Sequence, residues 1–165
     1  MFVNHWIRKS ALVLALPLAL ACGGGDDDTG PSGSTGSMSA TIGGVSWNAN
    51  LTVQGAYTGG VLAIGGNGGS GANNYQVNIT VTNITAAGTF NFGVGAIGNQ
   101  ALVTLIGNPV STWGATFAGG SGSITVTSLT ASRAQGTFTF TANASPGTAA
   151  TGTKAVTNGQ FDVRF

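Results

Sequence analysis

Side chains able to do chemistry are scarce in this sequence, and the most informative of them is a thiol. Cys22, the only cysteine of the chain, closes the apolar run 11–21 and is followed at once by Gly23-Gly24-Gly25-Asp26-Asp27-Asp28. A cysteine so placed is positioned to carry acyl chains after cleavage of the bond before it. The rest of the inventory excludes more than it suggests. Across residues 38–165 the charged side chains are Arg133, Lys154, Asp162 and Arg164, with no Glu, no His and no further Cys. The single histidine, His5, lies in the leading segment.

General acid–base catalysis draws mainly on His, Glu, Asp, Lys, Tyr and Cys. A glycosidase of the usual kind needs two carboxylates flanking one bond, and a Ser or Cys nucleophile needs an adjacent base. Zinc needs His, Cys or carboxylates in threes and fours. None of these sets can be assembled from residues 38–165, so the expectation is a non-enzymatic domain without metal or cofactor. Lys154 could serve a Ser–Lys pair in principle, but its surroundings are Gly, Ala and Thr, which read as a loop, and no partner signature accompanies it. Three dispersed basic residues make no phosphate-tracking patch, which argues against nucleic acid as a partner.

The segment that positions Cys22 has the layout of an export signal. Arg8 and Lys9 precede the apolar run, no acid precedes them, and the small Ala21 sits just before the cysteine. The run is shorter than the roughly 20 apolar residues a membrane-spanning helix needs. Ala19 occupies the position three before the cysteine where a lipobox usually has Leu, and Leu20 follows it. A lone cysteine forms no internal disulfide, even in a compartment that permits one. Two or more acyl chains give stable anchoring where one is marginal. The reading is therefore a lipoprotein signal peptide over 1–21, lipidated Cys22 with a flexible linker over 22–37, and a folded domain over 38–165.

The linker contains only Gly, Asp, Ser, Thr and Pro after the cysteine, a composition that buries no core. Its r.m.s. reach is about 20 Å, so the domain is expected to float just off the membrane. Gly23 after the cysteine resembles the outer-membrane sorting pattern of enterobacteria, and Asp26-Asp27-Asp28 resembles the acidic surface-export tags of some lipoproteins. Export to the outer membrane follows as an expectation, on its periplasmic face or at the cell surface.

Residues 38–165 alternate with period two almost throughout and are rich in Thr, Val, Ile and Phe between glycines. Met38, Ala40 and Ile42 face one way, and Gly43-Gly44 fits a tight hairpin turn. Val45, Trp47, Ala49, Leu51, Val53 and Tyr57 continue the inward parity on the return. Val61 to Ile64 form a short strand, and the glycines from Gly65 to Gly71 read as a mobile hairpin tip. Tyr75, Val77, Ile79 and Val81 alternate with polar neighbours. Ala101 to Ile106 reads as a strand in mid-sheet, followed by Trp113, Ala115 and Phe117. Residues 123–129 and 136–142 make a strand pair with Phe138, Phe140 and Ala142 on one face, and Phe161, Val163 and Phe165 close the chain facing inward. These signals predict an all-β fold, a single antiparallel β-sandwich or flattened β-barrel of about 8–10 strands.

One stretch occurs twice. Residues 78–87 followed by Gly88-Thr89-Phe90-Asn91-Phe92 match residues 123–132 followed by Gly136-Thr137-Phe138-Thr139-Phe140, with Arg133-Ala134-Gln135 extra in the second connection. The expectation is one hairpin design used twice, in equivalent positions across the sandwich. Together with Ala40-Thr41-Ile42-Gly43-Gly44-Val45-Ser46-Trp47, Gly122-Ser123-Ile124-Thr125-Val126-Thr127, Gly136 to Ala142 and Thr157-Asn158-Gly159-Gln160-Phe161-Asp162-Val163, these stretches resemble a family of uncharacterised bacterial lipoproteins with a small all-β domain. The resemblance implies a secreted, lipid-anchored sandwich or flattened barrel and carries over no catalytic or binding residue.

The functional expectation is a lipid-anchored, non-enzymatic cell-envelope domain acting as a binding or structural module. A sharper form makes it a glycan-binding surface module with Trp47, Tyr57, Tyr75 or Trp113 as stacking platforms, although Trp47 and Trp113 share parity with core positions. Phe161-Asp162-Val163-Arg164-Phe165 resembles the last strand of an outer-membrane barrel, an alternative that the short strands and Cys22 argue against. The expected partners are the membrane, through the lipid on Cys22, and a glycan or envelope protein. With almost no Lys or Glu to guard them, sheet edges are also expected to be open to homo-oligomer pairing.

Overall fold

Alternation between one apolar and one polar face is satisfied by strands that share a core, and the structure is built from little else. The computed structural model describes residues 36–165, so Cys22 and the leading segment lie outside the described residues. Eleven strands follow in order: β1 (Gly36–Ile42), β2 (Val45–Asn48), β3 (Thr52–Thr58), β4 (Val61–Gly68), β5 (Tyr75–Val81), β6 (Gly88–Gly93), β7 (Gln100–Leu105), β8 (Ser111–Ala115), β9 (Ser121–Leu129), β10 (Arg133–Ala144) and β11 (Thr153–Arg164). Among the described residues there is no α-helix, only a short 3-10 turn at Gly71–Asn73.

All pairings are antiparallel. The hydrogen-bonded path runs β2-β1-β11-β10-β8-β7-β5-β4-β3, with β9 and β6 branching from β10. The branch point is the length of β10. Its residues Ala134 to Thr141 pair with β9, and Asn143 and Ala144 then pair with β8. The sheet therefore splits and curls into a half-barrel, and β3 returns to pack on β11. There Gly55 faces Val163 and Phe165, and the rings of Tyr57 and Phe165 lie 6.2 Å apart.

The inward faces form one continuous core. Tyr75, Val77, Ile79 and Val81 of β5 are buried as alternation predicts, as are Phe138, Phe140 and Ala142 of β10 and Phe161 and Val163 of β11. Phe92 meets Phe140 edge-on at 6.2 Å, and the Phe138 and Phe140 rings lie 6.3 Å apart with their planes inclined by 28°. Such pairs add about 0.5–1.5 kcal/mol beyond the area they bury. Gly43 and Gly44 adopt φ of 56° and 86°, which matches the hairpin turn read from the sequence.

Several expectations are corrected. The return strand from Val45 to Tyr57 is two strands, because the chain turns between Asn48 and Thr52. Leu51 lies in that turn and is exposed, Val45 is exposed at the start of the end strand β2, and Trp47, Ala49 and Val53 are buried. Phe117 is 73% exposed because the chain has left β8 for a turn closed by Thr116 and Gly119. Phe165 is only half-enclosed, lying against Tyr57. Lys154 is in β11 rather than in a loop.

Gly65 to Gly68 are not a hairpin tip but the second half of β4, paired to both β3 and β5. The reason lies across the core. A Cβ on Gly66 would approach the Ala49 Cβ to 2.8 Å and the Met38 sulfur to 3.0 Å, and one on Gly68 would come within 2.3 Å of the Asn48 carbonyl oxygen. The bare strand is what lets β1 and β2 lie directly on β4.

The repeated stretch is also arranged differently from a hairpin used twice. Its second copy is the β9–β10 hairpin, but in the first copy β5 and β6 do not pair. Instead the two Gly-Thr-Phe segments flank β9 in one register. Gly88 and Gly136 both face Val126, Thr89 and Thr137 both face Thr125, and Phe90 and Phe138 both face Ile124.

Candidate functional site

The four aromatic residues singled out in the sequence are distributed by the core, not gathered on a surface. Trp47 is 2% exposed, and its indole N–H donates to the Gly68 carbonyl at 2.8 Å and to the Tyr75 carbonyl at 3.1 Å. Trp113 is buried and donates to the Thr151 carbonyl at 3.0 Å. Tyr75 is buried too, and the Lys154 ammonium bridges the pair, 4.3 Å from the Trp113 ring and 5.8 Å from the Tyr75 ring. Tyr57 stands apart, half-buried, its hydroxyl donating to the Ile84 carbonyl at 3.0 Å. Trp47, Tyr75 and Trp113 are therefore committed to the interior of the curled sheet and offer no open ring face to a sugar. Lys154 is held by the aromatic quadrupoles, a contact worth about 0.5–2 kcal/mol.

Asp162 is the only side-chain carboxylate among the described residues. The Arg133 guanidinium grips it with two hydrogen bonds, Nε to Oδ1 at 2.7 Å and Nη2 to Oδ2, and the Gln135 amide donates to it at 3.1 Å. The hydrogen bond from Arg133 holds the Asp162 carboxyl below its ordinary range; partial burial opposes this, and the charges of Arg133 and Arg164 assist. The pair ties the start of β10 to the end of β11, a structural role. A folded-state value below the unfolded one means that the stabilisation is present above the unfolded value and is lost as pH falls through the folded one. Unfolding free energy is thus expected to decline from about pH 4 downward. Denaturant titrations between pH 6 and 2 should show that decline in the wild type and a flatter profile for Asp162→Asn.

The outward faces are polar and nearly uncharged. One row crosses six strands in register: Asn48, Ser39, Gln160, Thr137, Thr125 and Thr89. A shallow depression of about 390 Å³ lies on this face beside Ser123, Thr125, Thr137 and Gln160. Its hydroxyls are partly used within the protein. Thr89 and Thr125 share a hydrogen bond at 2.9 Å, and Thr139 donates to the Val156 carbonyl at 3.1 Å.

The other half of the sheet carries a groove of about 240 Å³ on the outer face of β3, β4 and β5. Its rows are set by register: Gln54, Gly65 and Asn78 lie side by side, next to Ala56, Ala63 and Thr80 on one flank and Thr52, Asn67 and Gln76 on the other. Gly65 opens the floor, since a Cβ there would sit 2.7 Å from the Asn78 Oδ1. Sequence reasoning placed Gln76, Asn78 and Thr80 outward but missed this groove. In the sequence its floor reads as a loop, and only the pairing of Gly65 with Asn78 brings the two together. Comparison with protein-family models, with curated proteins and with solved structures finds no match for this chain.

Proposed function

We propose that the protein is an exported lipoprotein, anchored through acyl chains on Cys22, whose β domain binds a component of the cell envelope without catalysing a reaction on it. The observation that carries this reading is the pairing of a closed apolar core with two outward faces of hydroxyl and amide side chains. Such faces suit recognition in water. They do not suit contact with lipid, for which a spanning barrel needs an apolar outer band, and this favours an anchored domain over a small outer-membrane barrel. The sequence around Cys22 supports the anchor: a basic start, a short apolar run, a small residue and then the single cysteine.

The reading is tested by growing cells with radiolabelled palmitate and comparing the full-length protein with Cys22→Ser. The wild type is expected to incorporate label and to sediment with membranes, and the variant to lose both. Label and membrane association retained in Cys22→Ser would overturn the anchor. Protease shaving of intact cells then reports the face, since loss of an epitope placed after Phe165 marks the cell surface and protection marks the periplasm.

A further inference from the structure

Resting on that binding reading, we propose that the groove on the outer face of β3, β4 and β5 is a binding site for a neutral, hydroxyl-rich glycan, with Gln54, Gln76 and Asn78 as its hydrogen-bonding residues. The first argument is unused bonding capacity. Each side-chain amide offers two donors and an acceptor with two lone pairs, and none of these three makes a hydrogen bond within the protein, Gln76 and Asn78 being half-buried. In the depression on the other half of the molecule two threonines already bond within the protein, Thr125 to Thr89 and Thr139 to the Val156 carbonyl.

The second argument is charge. No ionisable group lines the groove. A phosphate, carboxylate or ammonium entering it would lose water without meeting a counter-charge, which is costly. A neutral polyol exchanges its water hydrogen bonds for the amides at little penalty. Size and shape agree. The volume falls below the roughly 300 Å³ lower end for drug-sized ligands, and the groove is open, which suits one or two sugar units of a longer chain. Its floor is Gly65 flanked by Ala56 and Ala63, low enough for a ring to lie against the backbone.

The substitution that blocks the groove is Gly65→Ala. The new methyl would press on the end of the Asn78 side chain, which can rotate away, so the strand is kept while floor and amide are displaced. The second variant, Gln76→Ala with Asn78→Ala, removes the amides and leaves the floor. Full-length protein in detergent is applied to an array of neutral gluco-, manno- and galacto-configured oligosaccharides alongside uronate- and sulfate-bearing ones. The expected result is binding to neutral members, weakened at least tenfold in both variants, with thermal unfolding and palmitate labelling unchanged. Binding that survives both variants, binding confined to the acidic members, or no binding to any member would overturn the proposal. Capture of a peptide along the edge of β3 would also survive both, because strand addition uses backbone groups. The palmitate label reports the anchor independently, so failure of the groove is distinguishable from failure of the anchored reading.

Discussion

Gly136→Ala is expected to destabilise the domain by about 3 kcal/mol or more, and Gly88→Ala to leave it unchanged within about 0.5 kcal/mol. The two glycines open the same Gly-Thr-Phe motif and face the same residue, Val126, from opposite sides of β9. Their surroundings differ. A Cβ on Gly136 would lie 2.0 Å from the Thr125 carbonyl oxygen and 2.8 Å from the Phe161 ring, because the β9–β10 ladder shifts register between Gln135 and Gly136. The backbone oxygen has no room to retreat without breaking the pairing of an interior strand. A Cβ on Gly88 would meet only the Phe90 ring, at 3.6 Å, an ordinary contact. Urea unfolding of both variants checks the contrast, and equal midpoints would refute the packing described around β9.

Trp47→Ala is expected to cost about 3–5 kcal/mol, the usual range for emptying a buried Trp site. That is a large share of the roughly 5–15 kcal/mol that holds a typical domain folded. Its ring covers the bare backbone of Gly66, and its N–H serves two carbonyls, those of Gly68 and Tyr75. Trp47→Phe separates the contributions. It keeps most of the packing but leaves both carbonyls without that donor, for an expected loss of about 1–3 kcal/mol. The urea midpoint should fall in the order wild type, Phe, Ala with little change in slope. A Trp47→Ala midpoint equal to wild type would remove Trp47 from the core.

The parts of the fold visible in the sequence are those decided locally. Tyr75, Val77, Ile79 and Val81 alternate with Gln76, Asn78 and Thr80 because one face of β5 is buried and the other wet, and a period of two records that directly. Gly43-Gly44 encodes a turn because two consecutive positive φ values favour glycine. What stayed hidden depends on distant partners. A glycine run reads alike in a loop and in a strand, and Gly65 to Gly68 form a strand because Met38, Trp47 and Ala49 need the space above them. Lys154 read as a loop residue, since a charge in a Gly- and Thr-rich stretch suggests solvent, yet Trp113 and Tyr75 receive it. The repeat was legible as similarity but not as pairing, because strand order is a property of the whole sheet. The same limit applied to the groove, whose amides alternate visibly while their glycine floor comes from another strand.

The placement of β1 has a mechanical consequence. The strand is bonded to β11 along its length and to β2 over Ser39 to Ile42, and its first residue, Gly36, faces Val163 near the end of the chain. Tension applied through the chain before Gly36 and directed along β1 loads these bonds in shear, many at once, where a peripheral strand pulled sideways would peel one bond at a time. Along the hydrogen-bonded path β1 is separated from β5 by β11, β10, β8 and β7. A tug on the leading end therefore loads the hydrogen bonds of β1 first, and it reaches β4 only by side-chain packing, through Met38 over Gly66, and not through the ladder.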